Sequence, residues 1–217
     1  MFLKENSHLT IYKLQNENSE TSHISTEQVY QEGDSKFNVN TITMGGELVR
    51  NNLNIIIDAM NCETNLNGLY LTEGKQHVDN HTLVDHRKPH CQSNELYKGV
   101  MKGQSTGVFN GKVFVRQDAQ KTNAFQSNKN ILLSDDSSIR SKPELEIYAD
   151  DVKCSHGSTT GQLDEEGIFY LRSRGISEAN AINLLMNAFA SDVVNKITSK
   201  AFKEKIDALL EERLNNH

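Results

Sequence analysis

Up to about residue 160 the apolar residues of this chain come in short clusters rich in β-branched and aromatic side chains, and their spacing restricts the fold more than any other feature. LTIYKL begins at Leu9, FNVNTITM at Phe37, LNIIID at Leu53, LYLT at Leu69, HTLVDH at His81, KVFV at Lys112, ILLS at Ile131 and LEIYADDV at Leu145. Alternation within these clusters predicts strands. Most of the later ones start roughly 12 to 19 residues apart, a spacing shared by a stacked β-solenoid and a β-sandwich. Periodicity alone does not choose between them.

The connections are expected to be tight. Of 23 Asn residues, 17 precede residue 151, and Asn accepts the left-handed backbone that sharp corners require. Gly99, Gly103, Gly107 and Gly111 recur every four residues and also read as corners. Asn110-Gly111, ahead of KVFV, predicts a two-residue hairpin turn and so one antiparallel pair. Pro89 and Pro143 are expected in connections, where a missing N–H costs no ladder hydrogen bond. The polar stretch from Asn16 to Gly33 reads as a turn or a loose loop.

After Gly161 the period becomes helical. Asp164 caps a short helix that Gly175 ends in a left-handed conformation. Ser177 caps a longer helix with Ile182, Leu185, Met186, Phe189, Val193 and Ile197 on one face. Phe202, Ile206, Leu209, Leu210 and Leu214 form the stripe of a third. The chain thus divides into a β body, residues 1–160, and a small helical domain, 161–217.

Composition excludes several functional classes. With 23 Lys+Arg against 29 Asp+Glu, a formal charge of -6 gives no global electrostatic basis for binding nucleic acid or an anionic membrane. No apolar run approaches the roughly 20 residues of a bilayer span, and MFLKENSHLT lacks the apolar core of a signal peptide. A soluble, cytoplasmic chain with no nucleic-acid or membrane partner is expected. Cys62, Cys91 and Cys154 are odd in number and scattered, which argues for free thiols. No P-loop, no GxGxxG opening a helix after a strand, no HExxH and no nucleophile elbow is read, so the chain is not expected to be an enzyme.

Two clusters carry donor chemistry. KQHVDNHTLVDHRKPHC holds His77, His81, His86, His90 and Cys91, and on an ideal strand His77, Asp79 and His81 share a face that a metal could bridge. The spacing matches no standard zinc motif, and the alternative is a ladder of hydrogen-bonded histidines. In the string from Asp150 to Gly157, Cys154 and His156 lie two apart and point the same way along a strand. Thiolate and imidazole are both iron ligands, and two from one chain leave positions for a partner's ligands or sulfide. The alternative for Cys154 is a place in the core.

Three strings carry a resemblance: HVDNHTLVDHRKPHCQSNELYKGV from His77 to Val100, FNGKVFVRQDAQKTNAFQSNKNILLS from Phe109 to Ser134, and KPELEIYADDVKCSHGSTTGQLDEEGIFYLRSRGIS from Lys142 to Ser177. They resemble the SufD family of iron-sulfur cluster assembly proteins, related to SufB. The resemblance implies a right-handed parallel β-helix followed by a small C-terminal α-helical domain. It also implies a non-catalytic scaffold subunit that pairs with SufB through its β-helix and docks the SufC ATPase on its helices. No cofactor is stably bound in that picture; iron or an iron-sulfur cluster passes transiently through a subunit interface. His156 falls at the position of the family histidine implicated in cluster formation there, with Cys154 beside it. Arg172 and Arg174 in LRSRG, with Ile182, Leu185, Met186 and Phe189, match the ATPase-docking region, and the apolar four serve that surface, the helices' own core, or both. The chain reads as a C-terminal fragment that begins inside the β-helix, and a cut solenoid end invites a homodimer. The competing classes are a stand-alone metal-binding module built on His77 to Cys91 and a β-helix enzyme acting on carbohydrate. The latter is disfavoured because neighbours in Asp135-Asp136 and Asp150-Asp151 point to opposite faces of a strand.

Overall fold

Backbone positions with φ near 60° recur at Asn6, Asp34, Asn61, His90 and Lys121, and a second set recurs at Gly46, Gly74 and Gly103. Each is a point where the chain must turn sharply, since L-residues adopt this region only locally. Between these corners lie strands, in a computed structural model that describes residues 1–215, with side chains to Arg213. One sheet contains β1 (Phe2–Leu3), β3 (Ser22–Gln31), β5 (Leu48–Ile57), β7 (His77–His86), β9 (Thr106–Val115) and β11 (Ser138–Ile147), paired in that order. The second contains β2 (His8–Gln15), β4 (Lys36–Thr43), β6 (Glu63–Thr72), β8 (Gln92–Met101), β10 (Asn123–Leu132) and β12 (Lys153–Gly161). Pairing is parallel throughout. The strands of the second sheet begin 27 to 31 residues apart, so each coil lays one strand in each sheet and about six coils stack. The fold is a parallel β-solenoid, and the sandwich is excluded.

Several local expectations are corrected. Asn110 and Gly111 lie inside β9, opposite Lys142 and Pro143 of β11, and form no hairpin. Gly111 is needed there for close approach: a Cβ would stand 2.5 Å from the Gln126 amide nitrogen and 2.6 Å from the Phe109 ring. Pro143 sits within β11, whose one strand neighbour among the described residues is β9, and an edge strand tolerates the missing N–H. Among the four regularly spaced glycines only Gly103 turns a corner. Asn6 and Asn61 take the left-handed corner conformation, but most other Asn residues of the β body lie in strands and stack as ladders. In one buried ladder Asn51 bonds Gln15 at 3.0 Å and Asn80 at 3.1 Å. The stretch Asn16 to Gly33 contains β3, whose inward face carries the polar His23, Ser25, Glu27 and Gln31 and so conceals the strand period.

The interior is filled by alternate residues of both sheets, among them Phe37, Val39, Val49, Ile55, Leu66, Phe109 and Val113. Side chains in successive coils stand in register, so bulk must be shared between them. Tyr97 lies opposite Gly68, and Gly99 opposite Tyr70. A Cβ at Gly68 or Gly99 would stand 2.3 Å from the facing tyrosine ring. The two pairs interlock β6 with β8.

Helices α1 (Glu165–Ser173), α2 (Glu178–Val194) and α3 (Lys200–Asn215) follow β12. Asp164 and Ser177 cap α1 and α2 as expected, accepting from the N–H groups of Glu166 and Asn180. Gly175 closes α1 at φ 87°. Met186, Ala190, Val193 and Val194 of α2, with Ile197 and then Ile206 and Leu210 of α3, pack on the outward Ile42, Met44, Leu69, Leu71 and Val100 of the second sheet. Each such side chain fully withdrawn from water contributes about 1.5 to 3 kcal/mol, which makes this contact the main attachment of the helices. The Leu214 side chain lies outside the described residues. Polar anchors fix the position: Tyr12 Oη accepts from the N–H groups of Thr198 and Ser199 at 3.2 Å, and Arg213 meets Glu73 at 3.0 Å. No helix among the described residues is long and apolar enough to cross a membrane.

Two predictions follow from this core. Gly99→Ala is expected to cost about 2 kcal/mol by overpacking, read by urea unfolding, and the cost should shrink in a Tyr70→Leu background. The second concerns pH. Burial pushes the Glu95 carboxyl up from 4.5 to about 7 and pulls the His86 imidazole down from 6.5 to about 4. Folded Glu95 binds its proton more tightly than the unfolded chain, so its stabilisation is complete at low pH and is lost as pH rises through 7. His86 has the opposite sign, and stability is lost as pH falls from 6.5 through 4. Each shift is worth about 3 kcal/mol, so the two largely offset. Glu95→Gln should therefore lose about 3 kcal/mol relative to the parent trend between pH 7 and 4; parallel pH profiles for the two proteins would refute this account.

Candidate functional site: the open end of the solenoid

The final coil has one face without a neighbour. Among the described residues β12 pairs with β10 alone and β11 with β9 alone. In β12, residues Cys154, His156, Ser158 and Thr160 continue the inward columns of Ala124, Gln126, Asn128 and Asn130, which are all buried. With no coil beyond them, His156, Ser158 and Thr160 are exposed and Cys154 is half-buried. A position that packs the core in every earlier coil here meets solvent.

Order at this end comes from hydrogen bonds. Ser158 donates to Ser141 Oγ at 2.7 Å, and Ser141 donates to Asn128 Oδ1 at 2.7 Å, tying β12, β11 and β10 together. Cys154 packs against the edge of the core, and burial pushes its thiol up. Its sulfur and the imidazole of His156 belong to one side of one strand, as the two-residue spacing requires. Among the described residues no group of three or more His, Cys, Asp or Glu converges as a metal site. The chain therefore offers two donors, of types that ligate iron, and a complete coordination sphere needs groups from elsewhere. Exposed apolar side chains flank this end at Phe125, Ile147 and Tyr148.

The His77 to Cys91 residues are not brought together. His77 and His81 lie on the outer side of β7, where His81 Nε2 is 2.8 Å from Asp79 Oδ1 and Arg50 holds the other Asp79 oxygen at 2.9 Å. His86 faces inward, fully buried, 2.8 Å from Ser93 Oγ. His90 occupies a corner at φ 62°, and Cys91 is buried with its sulfur 3.2 Å from the Ala59 carbonyl oxygen. All three cysteines are free thiols. The string Gly103-Gln104-Ser105-Thr106-Gly107 has the spacing of a nucleophile elbow, yet Ser105 is buried, bonded to Thr72 at 2.8 Å, and followed by a strand rather than a helix. The carboxylates of Asp135-Asp136 and Asp150-Asp151 sit in corners, with Asp151 ion-paired to Lys121.

On the helical side, Met186 is buried, Ile182 and Phe189 pack on the same cluster, and Leu185 is half-buried. Arg172 is exposed and paired with Glu178 at 3.0 Å, and Arg174 stacks 5.2 Å from the Tyr170 ring. Sequence reading overlooked the exposed apolar residues: Phe169 is 75% exposed, Tyr170 57% and Leu184 50%. A signal existed, because Ile168-Phe169-Tyr170-Leu171 is an unbroken apolar run that no single helix face can bury.

Comparison with known proteins identifies the family. The family model described as "SUF system FeS cluster assembly, SufBD core domain" matches residues 1–189. An iron-sulfur cluster assembly SufBD family protein of Synechocystis is 38% identical over 197 residues, covering 91% of this chain and 44% of that protein. The iron-sulfur cluster assembly protein SufD of Escherichia coli is 34% identical over 209 residues, covering 96% and 49%. A SufBD family protein of Mycobacterium leprae is 37% identical over 182 residues, covering 80% and 46%. The chain spans about half the length of these relatives. By the family model and these identities, it belongs to the SufBD family of the SUF system for iron-sulfur cluster assembly.

Proposed function

We propose that the chain serves as a non-catalytic scaffold subunit of cytoplasmic iron-sulfur cluster assembly. The observation that supports this best is the open coil end, where two soft-metal donors are displayed on a strand position that is otherwise core. A second solenoid of the same architecture, a SufB-type subunit, covers this end and supplies the remaining ligands. Iron or the nascent cluster is cargo there, held by Cys154 and His156 only while the complex is assembled. His156 must be neutral and Cys154 deprotonated to ligate, and exclusion of water at the joint strengthens both interactions.

The helical segment is the docking surface for the SufC ATPase. Phe169, Tyr170 and Leu184 form its apolar centre and Arg172 and Arg174 its charged rim, the usual anatomy of a protein interface. Met186 and Phe189 serve the helices' own attachment. Buried Lys98 of β8 connects the two regions, because Nζ donates to Asp192 at 2.6 Å and to the Phe189 carbonyl oxygen at 2.7 Å, and lies 4.2 Å from the Phe189 ring. A force applied to α2 is therefore delivered to a strand of the solenoid.

Calorimetric titration with the SufC ATPase of the same organism tests the docking surface. Saturable binding that weakens at least about tenfold in Leu184→Glu, a loss of about 1.4 kcal/mol, is expected; equal affinity for parent and variant would refute the placement. For the open end, the complex with the SufB-type subunit should assemble with His156→Ala but carry less iron after reconstitution. Iron content equal to that of the parent complex would remove His156 from the site.

A further inference from the structure

The inward column that ends at His156 changes character along the solenoid. In the second sheet it runs Ile11, Val39, Leu66, Glu95, Gln126, His156, one residue per coil. The first three are apolar and the last three polar. Glu95 and Gln126 are 4% and 3% exposed, and such burial is unfavourable unless every polar atom is satisfied.

One atom is not. The Gln126 amide Nε2 donates to Glu95 Oε2 at 2.6 Å. Above the value of about 7 to which burial raises it, Glu95 is a carboxylate that only accepts, and this bond then fixes which way the amide points. Gln126 Oε1 is then a buried acceptor with no hydrogen-bond partner among the described residues. It lies one coil below His156, which is paired with Gln126 in the parallel register. Gly111 keeps the space open, since a Cβ there would stand 2.5 Å from Gln126 Nε2.

We propose that Gln126, oriented by Glu95, is the positioning residue for His156: its Oε1 accepts one imidazole N–H and leaves the other ring nitrogen, with its lone pair, directed out of the open end. This deepens, and rests on, the reading of His156 as a donor to the cargo metal. An imidazole that offers a lone pair to metal is commonly held by a hydrogen bond from its other nitrogen, which sets tautomer and orientation. The column explains why two polar side chains are buried behind an exposed histidine: they form its support.

The test reads the metal-free chain. Imidazole nitrogen chemical shifts of His156, assigned by their loss in His156→Ala, are recorded at a pH of about 8, where an ordinary imidazole is neutral. The parent is expected to show one dominant tautomer. Gln126→Leu should collapse this to a mixture of both, while Gln126→Glu, which keeps an acceptor, should retain it. Should Gln126→Leu fail to fold, Gln126→Met removes the same acceptor with a flexible chain and is read in the same way. In the complex with the SufB-type subunit, Gln126→Leu should weaken Fe(II) binding about tenfold or more. Identical His156 shifts in parent and Gln126→Leu would overturn the inference while leaving the ligand reading standing. Iron retained by His156→Ala would overturn the ligand reading, and a tautomer shift in Gln126→Leu would still register the Gln126 contact.

Discussion

Parallel register is the constraint on which the rest of this structure depends. Because each strand pairs with its counterpart one coil away, every side chain is stacked on the residue about one coil earlier in the sequence. Interior composition is therefore decided column by column rather than residue by residue. A column of valine and leucine gives a dry core, a column of carboxamides gives a hydrogen-bonded ladder, and a column that ends in histidine delivers that histidine to the last coil. The helices obey the same rule from outside, packing where the outward columns of the second sheet are apolar and leaving its Asn-rich half uncovered. There Asn65 bonds Asn38 at 2.9 Å and Asn94 bonds Asn65 at 3.2 Å, continuing the stack in polar form.

Much of this was legible in the sequence, and the failures share a cause. The strand clusters, the helix caps at Asp164 and Ser177, and the pairing of Cys154 with His156 on one side of a strand follow from local periodicity and were read correctly. Asn110-Gly111 was misread because turn propensity is a local property, whereas the need for glycine there arises from Phe109 and Gln126 packing in the interior. The same holds for Gly99, which makes room for a tyrosine 29 positions earlier in the chain. Local rules see neighbours in sequence, and a solenoid places the relevant neighbour a whole coil away. The support behind His156 was invisible for the same reason: nothing within a few residues of it contains Glu95.

The candidate site is also unusual in what it leaves unfinished. Two donors on a single strand do not make a metal centre, and an apolar run on α1 with no buried residue does not make a stable surface in isolation. Both features are costs to the free chain that the proposed partners would remove. Lys98 of β8 is 3% exposed, with its charge balanced by Asp192 from α2, whose carboxyl is held low by that lysine. Removing one member of such a pair leaves the other charge poorly compensated, so the joint between helix and sheet resists partial separation.

The interlock of Tyr70 with Gly99 and of Tyr97 with Gly68 has a consequence for how such a chain can change over generations. Stacked coils look like interchangeable units, and lengthening or shortening the stack would seem to require only whole coils gained or lost. Removing Glu63 to Cys91 would set β8 directly on β4, with Tyr97 facing Thr41 and Gly99 facing Thr43. One ring would lose its hollow and one hollow its ring. Loss of that coil therefore carries an overpacking cost at one position and a cavity cost at the other.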